Sequence, residues 1–231
     1  MGIGRKIHNF IHPALGQVLM LHSVVERISP QPEAPRLEVT VDFFAKTLDD
    51  LLRQRADFVG IGQVSERIKS KNRRPFVCLT FDDGYLDTYT RAYPLLKERQ
   101  IPFCVYMTRD FYQGTAKPHW NPEVEMMNRE QLVALASDPL CTIGVHTCSH
   151  PRLSQLPVDE QYRELAGCKD DLEQLLDCEV RHLAYPYGDY NHNTVQLAWQ
   201  LGFLTATTTS GRPIRSDSQM LELDRVTFSE S

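Results

Sequence analysis

The chain has 231 residues, of which 42% are hydrophobic and 24% are charged, so it can form one substantial core but is too short for two full domains. Its formal net charge of −5 at pH 7 gives no general electrostatic reason to bind nucleic acid or an anionic membrane. A basic stretch at residues 67–74 is expected to be a solvated loop ahead of a strand.

The N-terminal residues 1–8 contain no continuous apolar run of the kind found in export signals. The apolar run at residues 18–21 is too short to cross a bilayer. These features predict a cytoplasmic protein without a transmembrane segment, either free or associated with the inner face of the membrane. The six cysteines show no paired close spacing, which favours buried thiols in a reducing compartment.

Apolar strand candidates alternate with amphipathic helical stretches along the rest of the chain. Strands are predicted at residues 17–21, 76–81, 103–107, 142–145, 182–185, 204–208 and 221–228. Helices are predicted at residues 41–55, 86–100, 129–137, 158–177 and 193–201. Asn128 and Gln131 form the pattern of a capping box at the start of the third helix. The alternation favours an α/β fold with a mostly parallel sheet, closed or nearly closed, and helices outside it.

Two polar clusters come directly after predicted strands. Asp82, Asp83 and Gly84 follow the second strand, and His146 and His150 follow the fourth. Because catalytic groups collect at the C-terminal ends of strands in such barrels, we expect the two clusters to meet. Each has a plainer explanation by itself, since Asp-Asp-Gly is a common turn sequence and two histidines at this spacing arise by chance on polar helices. Their joint occurrence favours a functional site.

The side chains of the two clusters suit a metal centre with a spare base. Two neutral imidazoles and one carboxylate leave a divalent ion such as zinc with an open position for water, as catalytic sites require. The second carboxylate is then free to transfer protons. Adjacent strand residues point to opposite faces, so this division of labour needs a turn, which Gly84 suits.

Residues 110–128 are too irregular for a helix or strand and form a candidate substrate loop. Trp120 within this loop has two interpretations. Its indole stacks on a sugar face, or it covers the core, and the sequence leaves both open.

Three motifs resemble those of the polysaccharide deacetylases, the NodB-like carbohydrate esterases of family four. They are Thr-Phe-Asp-Asp-Gly at 80–84, His-Thr-Cys-Ser-His at 146–150 and Ala-Tyr-Pro-Tyr-Gly at 184–188. The first two in this order are highly specific, and the likeness extends over roughly residues 15 to 228. It implies a distorted (β/α) barrel of about seven parallel strands with outer helices, and a single deacetylase domain over residues 1–231.

The resemblance implies a role for each motif residue. Asp82 corresponds to the general base, whereas Asp83, His146 and His150 correspond to the metal ligands. The implied cofactor is a divalent metal, Zn²⁺ in the first place, with Co²⁺ or Ni²⁺ as alternatives. The backbone amide of Tyr187 corresponds to a donor for the oxyanion. The expected substrate-binding residues are Trp120, Tyr185, Pro186 and Gly188.

Two departures from the family pattern concern the acid and an arginine. The family's acid histidine lies near the C-terminus, whereas here His22 follows an N-terminal strand, as in the permuted poly-N-acetylglucosamine deacetylases. First and last strands of a closed barrel are neighbours, which allows that exchange; the alternative is a strand-end histidine with a capping role. Ala184 stands where the family has arginine, and Arg225 is its candidate replacement in space. Asp224 and Glu222 are candidates for the residue that tunes the acid.

These correspondences imply a metal-dependent hydrolase that removes N-acetyl groups from an N-acetylhexosamine-containing glycan or from a nucleotide- or lipid-linked sugar. Two alternatives stay open: an O-acetyl carbohydrate esterase with the same machinery, and a catalytically inactive glycan-binding homologue. No nucleic-acid partner is expected, and the sequence sets no expectation for the oligomeric state.

Overall fold

A computed structural model of the chain describes residues 14–28, 37–70 and 74–230. The strands in these ranges are β1 (Gly16–Leu21), β2 (Ser23–Val25), β3 (Glu38–Thr40), β4 (Asp57–Phe58), β5 (Phe76–Phe81), β6 (Phe103–Met107), β7 (Cys141–Val145), β8 (His182–Ala184), β9 (Thr205–Thr207) and β10 (Val226–Thr227). Seven of them form one parallel sheet in the order β10, β1, β5, β6, β7, β8, β9, while β4 pairs with β5 beside this path. β2 and β3 form a separate parallel pair. The expected barrel-like fold of seven parallel strands is confirmed, as a curled half-barrel.

Helices connect the strands and surround the sheet. They are α1 (Val41–Arg53), α2 (Val64–Lys69), α3 (Tyr93–Glu98), α4 (Arg109–Tyr112), α5 (Arg129–Ala136), α6 (Val158–Leu176) and α7 (His192–Gln200). A π-helical turn, Thr88–Ala92, leads directly into α3, where the sequence predicted one continuous helix. Asn128 and Gln131 exchange side chain to backbone hydrogen bonds at the start of α5, so the predicted capping box is confirmed.

The central strands β1, β5 and β6 are buried along their whole length and on both faces, and most of their residues are apolar. Successive side chains alternate between the two faces. Leu19 of β1 belongs to the cluster that includes Phe44 of α1, whereas its neighbour Val18 packs in the interior of the curl with Cys78 and Tyr106. The sheet is therefore filled on its concave side and covered by helices on the other.

The C-terminal segment links the two edges of the curled sheet. Leu223 forms two backbone hydrogen bonds of 2.8 Å with the β9 region. Three residues later, Val226 pairs with β1. In this segment only β10 is a regular strand, because the segment changes its pairing partner midway. The observed strand is therefore shorter than the one predicted at 221–228. Arg225 lies at this change of partner and is fully buried.

The first residues of the basic stretch, 67–69, are helical and do not form the loop that the sequence predicted. Arg67 lies in α2, where its guanidinium pairs with Asp57 and rests 5.6 Å from the centre of the Phe76 ring. Residues 71–73 and 1–13, including the segment considered for export, lie outside the described residues. None of the helices in the described ranges has the length and apolar character needed to cross a membrane.

All six cysteines lie in the described ranges and are free. Four are buried, Cys141 is partly buried and Cys178 is exposed. The buried environment expected of the thiols therefore holds for most of them.

Candidate active site

The first polar cluster lies where β5 ends. Asp83 and Gly84 both adopt left-handed backbone conformations, with φ of 70° and 83°, and the Gly84 N–H donates to the Asp82 carbonyl at 2.9 Å. A Cβ on residue 84 would lie 2.5 Å from Cε of Met107, so glycine suits this position. The turn directs the two carboxylates toward different neighbours. The left-handed conformation begins at Asp83, one residue before the glycine to which the sequence assigned the turn.

The second polar cluster follows β7 as an irregular loop. Thr147 and His150 have φ of 67° and 62°, conformations that cost about 1–3 kcal/mol for residues other than glycine. The His150 N–H donates to the Thr147 hydroxyl at 3.0 Å, which stabilises the bend. The rings of His146 and His150 are thereby brought to 4.8 Å between centroids. Strain of this kind clusters at functional sites.

Asp83, His146 and His150 converge on one point. Oδ1 of Asp83 lies 3.5 Å from Nε2 of His146 and 3.3 Å from Nε2 of His150, and all three residues are buried. Ligand atoms of a tetrahedral zinc ion are separated by about 3.3–3.4 Å at the usual bond lengths. Oδ1 of Asp83 has no hydrogen-bond partner among the described residues, as expected of an oxygen that serves as a ligand to a cation.

The surroundings of His146 prepare it to be a ligand. Its Nδ1–H donates to the Ala184 carbonyl at 2.8 Å, so the lone pair of Nε2 faces Asp83. Burial lowers the pKa of His146 to about 4, which keeps the imidazole neutral, as metal binding requires. The residues present therefore fit a divalent metal ion.

Asp82 faces a buried arginine instead. Both of its carboxylate oxygens accept from the Arg225 guanidinium, at 2.6 and 2.7 Å, and Arg225 also donates to the Thr80 hydroxyl and the Thr208 carbonyl. Burial alone would raise the pKa of Asp82, but the charge and hydrogen bonds of Arg225, together with the charges of His146 and His22, hold that pKa below its ordinary value. Nε2 of His22 lies 3.9 Å from Oδ2 of Asp82. An oriented, ionised carboxylate thus lies beside an imidazole.

These groups border a cavity of about 870 Å³, a size that accommodates a small ligand or part of a longer one. One wall is aromatic: the ring centroids of Trp120 and Tyr187 lie 4.7 and 4.6 Å from that of His150. The Trp120 Nε1–H donates to the Tyr85 hydroxyl at 2.9 Å, and the Arg152 guanidinium rests 4.4 Å from the Tyr187 ring centre. Trp120 therefore both lines the cavity and packs on the histidine cluster.

Comparison with known proteins agrees with this arrangement. Residues 69–206 match the family model described as polysaccharide deacetylase. The chain belongs to the polysaccharide deacetylase family. It is 31% identical over 153 residues to the polysaccharide deacetylase homologue YxkH of Bacillus subtilis (strain 168), an alignment that covers 66% of this chain and 51% of YxkH. The chain thus spans about half the length of this curated relative.

Two solved structures resemble this family member over nearly their full lengths. Streptococcus pyogenes deacetylase PplD, solved in complex with acetate, is 25% identical, with a TM-score of 0.80 and coverage of 92% of this chain and 91% of PplD. IcaB from Ammonifex degensii is 26% identical, with a TM-score of 0.76 and coverage of 94% of this chain and 92% of IcaB.

The third motif of the chain reaches the cavity through one residue, Tyr187. Tyr185 is fully buried, with its hydroxyl donating to the Leu221 carbonyl at 2.9 Å, and Pro186 is buried as well. Gly188 lines a separate, more polar cavity. In contrast to the sequence prediction, the structure does not bring Tyr185, Pro186 or Gly188 to the cavity beside Asp82, because packing occupies the first two and the loop turns the third away.

The candidates for tuning His22 also lie elsewhere. Asp224 accepts from the Thr208 hydroxyl at 3.2 Å and pairs with Arg212 at 3.0 Å. Within the ranges that the structure describes, neither Asp224 nor Glu222 forms a hydrogen bond with His22. The neighbouring Arg225, by contrast, does reach Asp82.

Sequence reasoning missed two residues beside the site. Tyr85 is buried and accepts the Trp120 N–H, and Asp87 is buried and hydrogen-bonded to Ser23, the residue after His22. Both lie within four residues of Asp83, so their position just after the Asp-Asp-Gly turn was the signal in the sequence that could have indicated them. The contact of Asp87 with Ser23 was not visible because β2 is too short to show a pattern.

Proposed function

We propose that this family member is a metal-dependent hydrolase that removes N-acetyl groups from an N-acetylhexosamine-containing glycan or glycan precursor. The observation that carries the proposal is the setting of Asp82. Its carboxylate accepts hydrogen bonds from Arg225 at 2.6 and 2.7 Å, and Nε2 of His22 lies 3.9 Å away from it. The next residue in the chain is Asp83, which converges with His146 and His150. A base, an acid and a metal site then border one cavity.

Asp83, His146 and His150 are the proposed metal ligands. A divalent ion bound there supplies a Lewis acid that lowers the pKa of water and polarises an acetyl oxygen. Two imidazoles and one carboxylate are a ligand set typical of catalytic zinc. We therefore propose Zn²⁺, with Co²⁺ or Ni²⁺ as ions that the same donors accept.

The proton transfers are assigned to Asp82 and His22. Asp82, ionised and oriented by Arg225, accepts a proton from water as the oxygen forms a bond to the acetyl carbon. His22, as an imidazolium, donates a proton to the sugar nitrogen as the C–N bond breaks. One water is consumed, and acetate and a sugar amine are the products. An amine leaves poorly without protonation, so the acid is the feature that favours N-acetyl over O-acetyl substrates.

The remaining assignments concern charge and substrate. The backbone N–H of Tyr187 is proposed to stabilise the developing oxyanion, and the Trp120 and Tyr187 rings to form the wall against which a sugar lies. The relatives support acetyl chemistry, since PplD is a deacetylase solved with acetate, the product expected here.

Acetate release by zinc- or cobalt-loaded protein tests the proposal. The substrate panel contains N-acetylglucosamine oligomers, a nucleotide-linked N-acetylhexosamine and O-acetylated xylan, and the Asp82→Asn variant is the matched control. Release from an N-acetyl substrate by the wild type alone supports the proposal. Release from xylan only would make the protein an esterase, and binding of oligomers without release would make it a glycan-binding homologue.

A further inference from the structure

His22 is the residue that joins β1 to β2, so the position of β2 determines where its imidazole lies. In the described part of the chain, β2 pairs with one strand only, β3, and the Ser23 N–H donates to the Leu37 carbonyl at 3.2 Å on that side. A pair of three-residue strands is marginally stable by itself. Something else must hold the open edge of β2.

Two side chains satisfy that open edge. The Val24 N–H donates to Oδ1 of Asp87 at 3.0 Å, and the Ser23 hydroxyl donates to Oδ2 of the same carboxylate. Nη1 of Arg91 donates to the Val24 carbonyl at 3.4 Å. Both backbone groups of Val24 are therefore bound by a carboxylate and a guanidinium that are four residues apart. We call Asp87 and Arg91 the β2 clamp.

The backbone around the β2 clamp is unusual. Asp87 immediately precedes the π-helical turn Thr88–Ala92, which contains Arg91; π-helical turns are rare and often lie at functional sites. Asp87 is only 8% exposed and is not among the described residues that line the cavity. Its effect on a substrate must therefore act through the residues that it holds.

We propose that Asp87 and Arg91 are positioning residues that keep His22 beside Asp82. The geometry carries this inference, since both oxygens of Asp87 bind the two residues that follow His22, and Nε2 of His22 lies 3.9 Å from Asp82. The assignment of His22 as the acid rests on the proposed function, whereas the clamp on β2 does not.

Substrates with different leaving groups test whether the β2 clamp acts through His22. An N-acetylglucosamine oligomer expels an amine and needs the acid, whereas 4-nitrophenyl acetate expels a stable phenolate and does not. For Asp87→Ala we expect kcat on the oligomer to fall by about ten-fold or more, and kcat on the ester to change by no more than about two-fold. Equal losses on both substrates overturn the proposal, because a general loss of folded protein acts equally on both.

His22→Asn provides the reference pattern for this comparison. If the β2 clamp works by positioning His22, Asp87→Ala should cause no further loss on the oligomer once His22 is already replaced, because the two changes then remove the same contribution. Additive losses in the double variant overturn the proposal.

Asp138→Asn is the control variant. Asp138 is 9% exposed and accepts from the Tyr93 hydroxyl at 2.7 Å and the Leu140 N–H at 3.0 Å, donor types that Asp87 also binds, and it pairs in addition with the Lys97 ammonium at 3.0 Å. None of these four residues is among the described residues lining the cavity. We expect this variant to lose stability while the ratio of the two activities is unchanged. If Asp138→Asn also changes the ratio of the two activities, the change is not specific to Asp87, and the inference is overturned.

Amide hydrogen exchange at Val24 separates the clamp from the proposed function. We expect exchange at Val24 to accelerate by about ten-fold or more in Asp87→Ala and to stay unchanged in Asp138→Asn. Unchanged exchange in Asp87→Ala overturns the clamp, whether or not the protein deacetylates anything. Faster exchange in a protein whose wild type releases no acetate overturns the proposed function instead. If Asp87→Ala does not fold, Arg91→Gln removes one contact of the clamp and gives the same comparison.

Discussion

Asp82 is only 2% exposed, yet its pKa lies below the ordinary value, and Arg225 contributes most to that lowering. Removing one partner of a buried ion pair leaves the other charge uncompensated, which costs about 3–5 kcal/mol. We expect Arg225→Met to lower the free energy of unfolding by that amount, measured by urea denaturation. Burial of Asp82 is then opposed only by the weaker effects of His146 and His22, so its pKa rises and the acid limb of the pH–rate profile moves to higher pH.

The double variant Arg225→Met with Asp82→Asn is the control for this prediction. A neutral amide does not need the guanidinium, so the double variant should recover most of the stability that Arg225→Met loses. If the two losses simply add, Arg225 stabilises the fold independently of Asp82.

Asp82 and His150 are expected to fail in different ways when replaced. Asp82→Asn keeps the proposed ligands and loses the proton acceptor, so kcat should fall by about 10²- to 10⁴-fold with unchanged metal content. His150→Ala removes a ligand and should lose the metal itself. Acetate release and elemental analysis of the purified variants measure the two effects. A metal-replete Asp82→Asn protein with full activity would remove Asp82 from the mechanism.

Among the elements, β5 and β6 were predictable to the residue because they are buried on both faces, so the apolar run begins and ends with the strand. β2, β3 and β4 were not, since two or three residues are too few to show a period. Arg225 was expected, from the resemblance, as a replacement for the family's arginine, but local pattern alone does not predict its contact with Asp82. That contact depends on the C-terminal segment passing from β9 to β1, which is a tertiary event.

The third-motif loop was predictable as a site element, but which of its residues faces the cavity was not.

Gly188 and Gly211 have similar φ, 65° and 76°. A Cβ at 188 would lie 2.3 Å from Oγ1 and 2.8 Å from the backbone N of Thr209, whereas a Cβ at 211 would meet no described atom within 4 Å. The two glycines therefore separate backbone strain from steric conflict.

We expect Gly211→Ala to cost about 1 kcal/mol, the strain of a left-handed alanine. Gly188→Ala should cost about 1–3 kcal/mol more, because the new methyl group has no space beside Thr209. Urea denaturation measures both losses. Equal losses for the two variants would contradict the steric assignment and show that the loop adjusts freely.

For the whole molecule, buried histidines determine part of the response to acid. His182 lies in β8, and its Nδ1 is 2.9 Å from the Thr205 hydroxyl. Burial, with a smaller effect of Arg181, lowers the pKa of His182 to about 4. An unfolded histidine binds its proton near a pKa of about 6.5, so the unfolded chain binds more protons at this position between these two values. Linkage then makes the free energy of unfolding fall as pH drops through that window.

Asp87 acts in the opposite direction over a similar window. Burial raises the pKa of Asp87 to about 6, above the value of about 3.9 for an unfolded aspartate, so protonation of Asp87 favours the folded state as pH falls. His146, with a pKa of about 4, acts in the same direction as His182. The pH dependence of the wild type alone is therefore a sum, and a difference between two proteins is needed to resolve one group.

His182→Asn provides that difference, since Asp87 and His146 are present in both proteins and their contributions cancel. Between pH 7 and pH 4 the wild type should lose about 2–4 kcal/mol more unfolding free energy than the variant. Urea denaturation of both proteins in chelator, without bound metal, measures the difference. A difference that begins below about pH 6.5 and levels off near about pH 4 identifies His182 as its source. Parallel curves would show that His182 binds its proton equally well in the folded and the unfolded state.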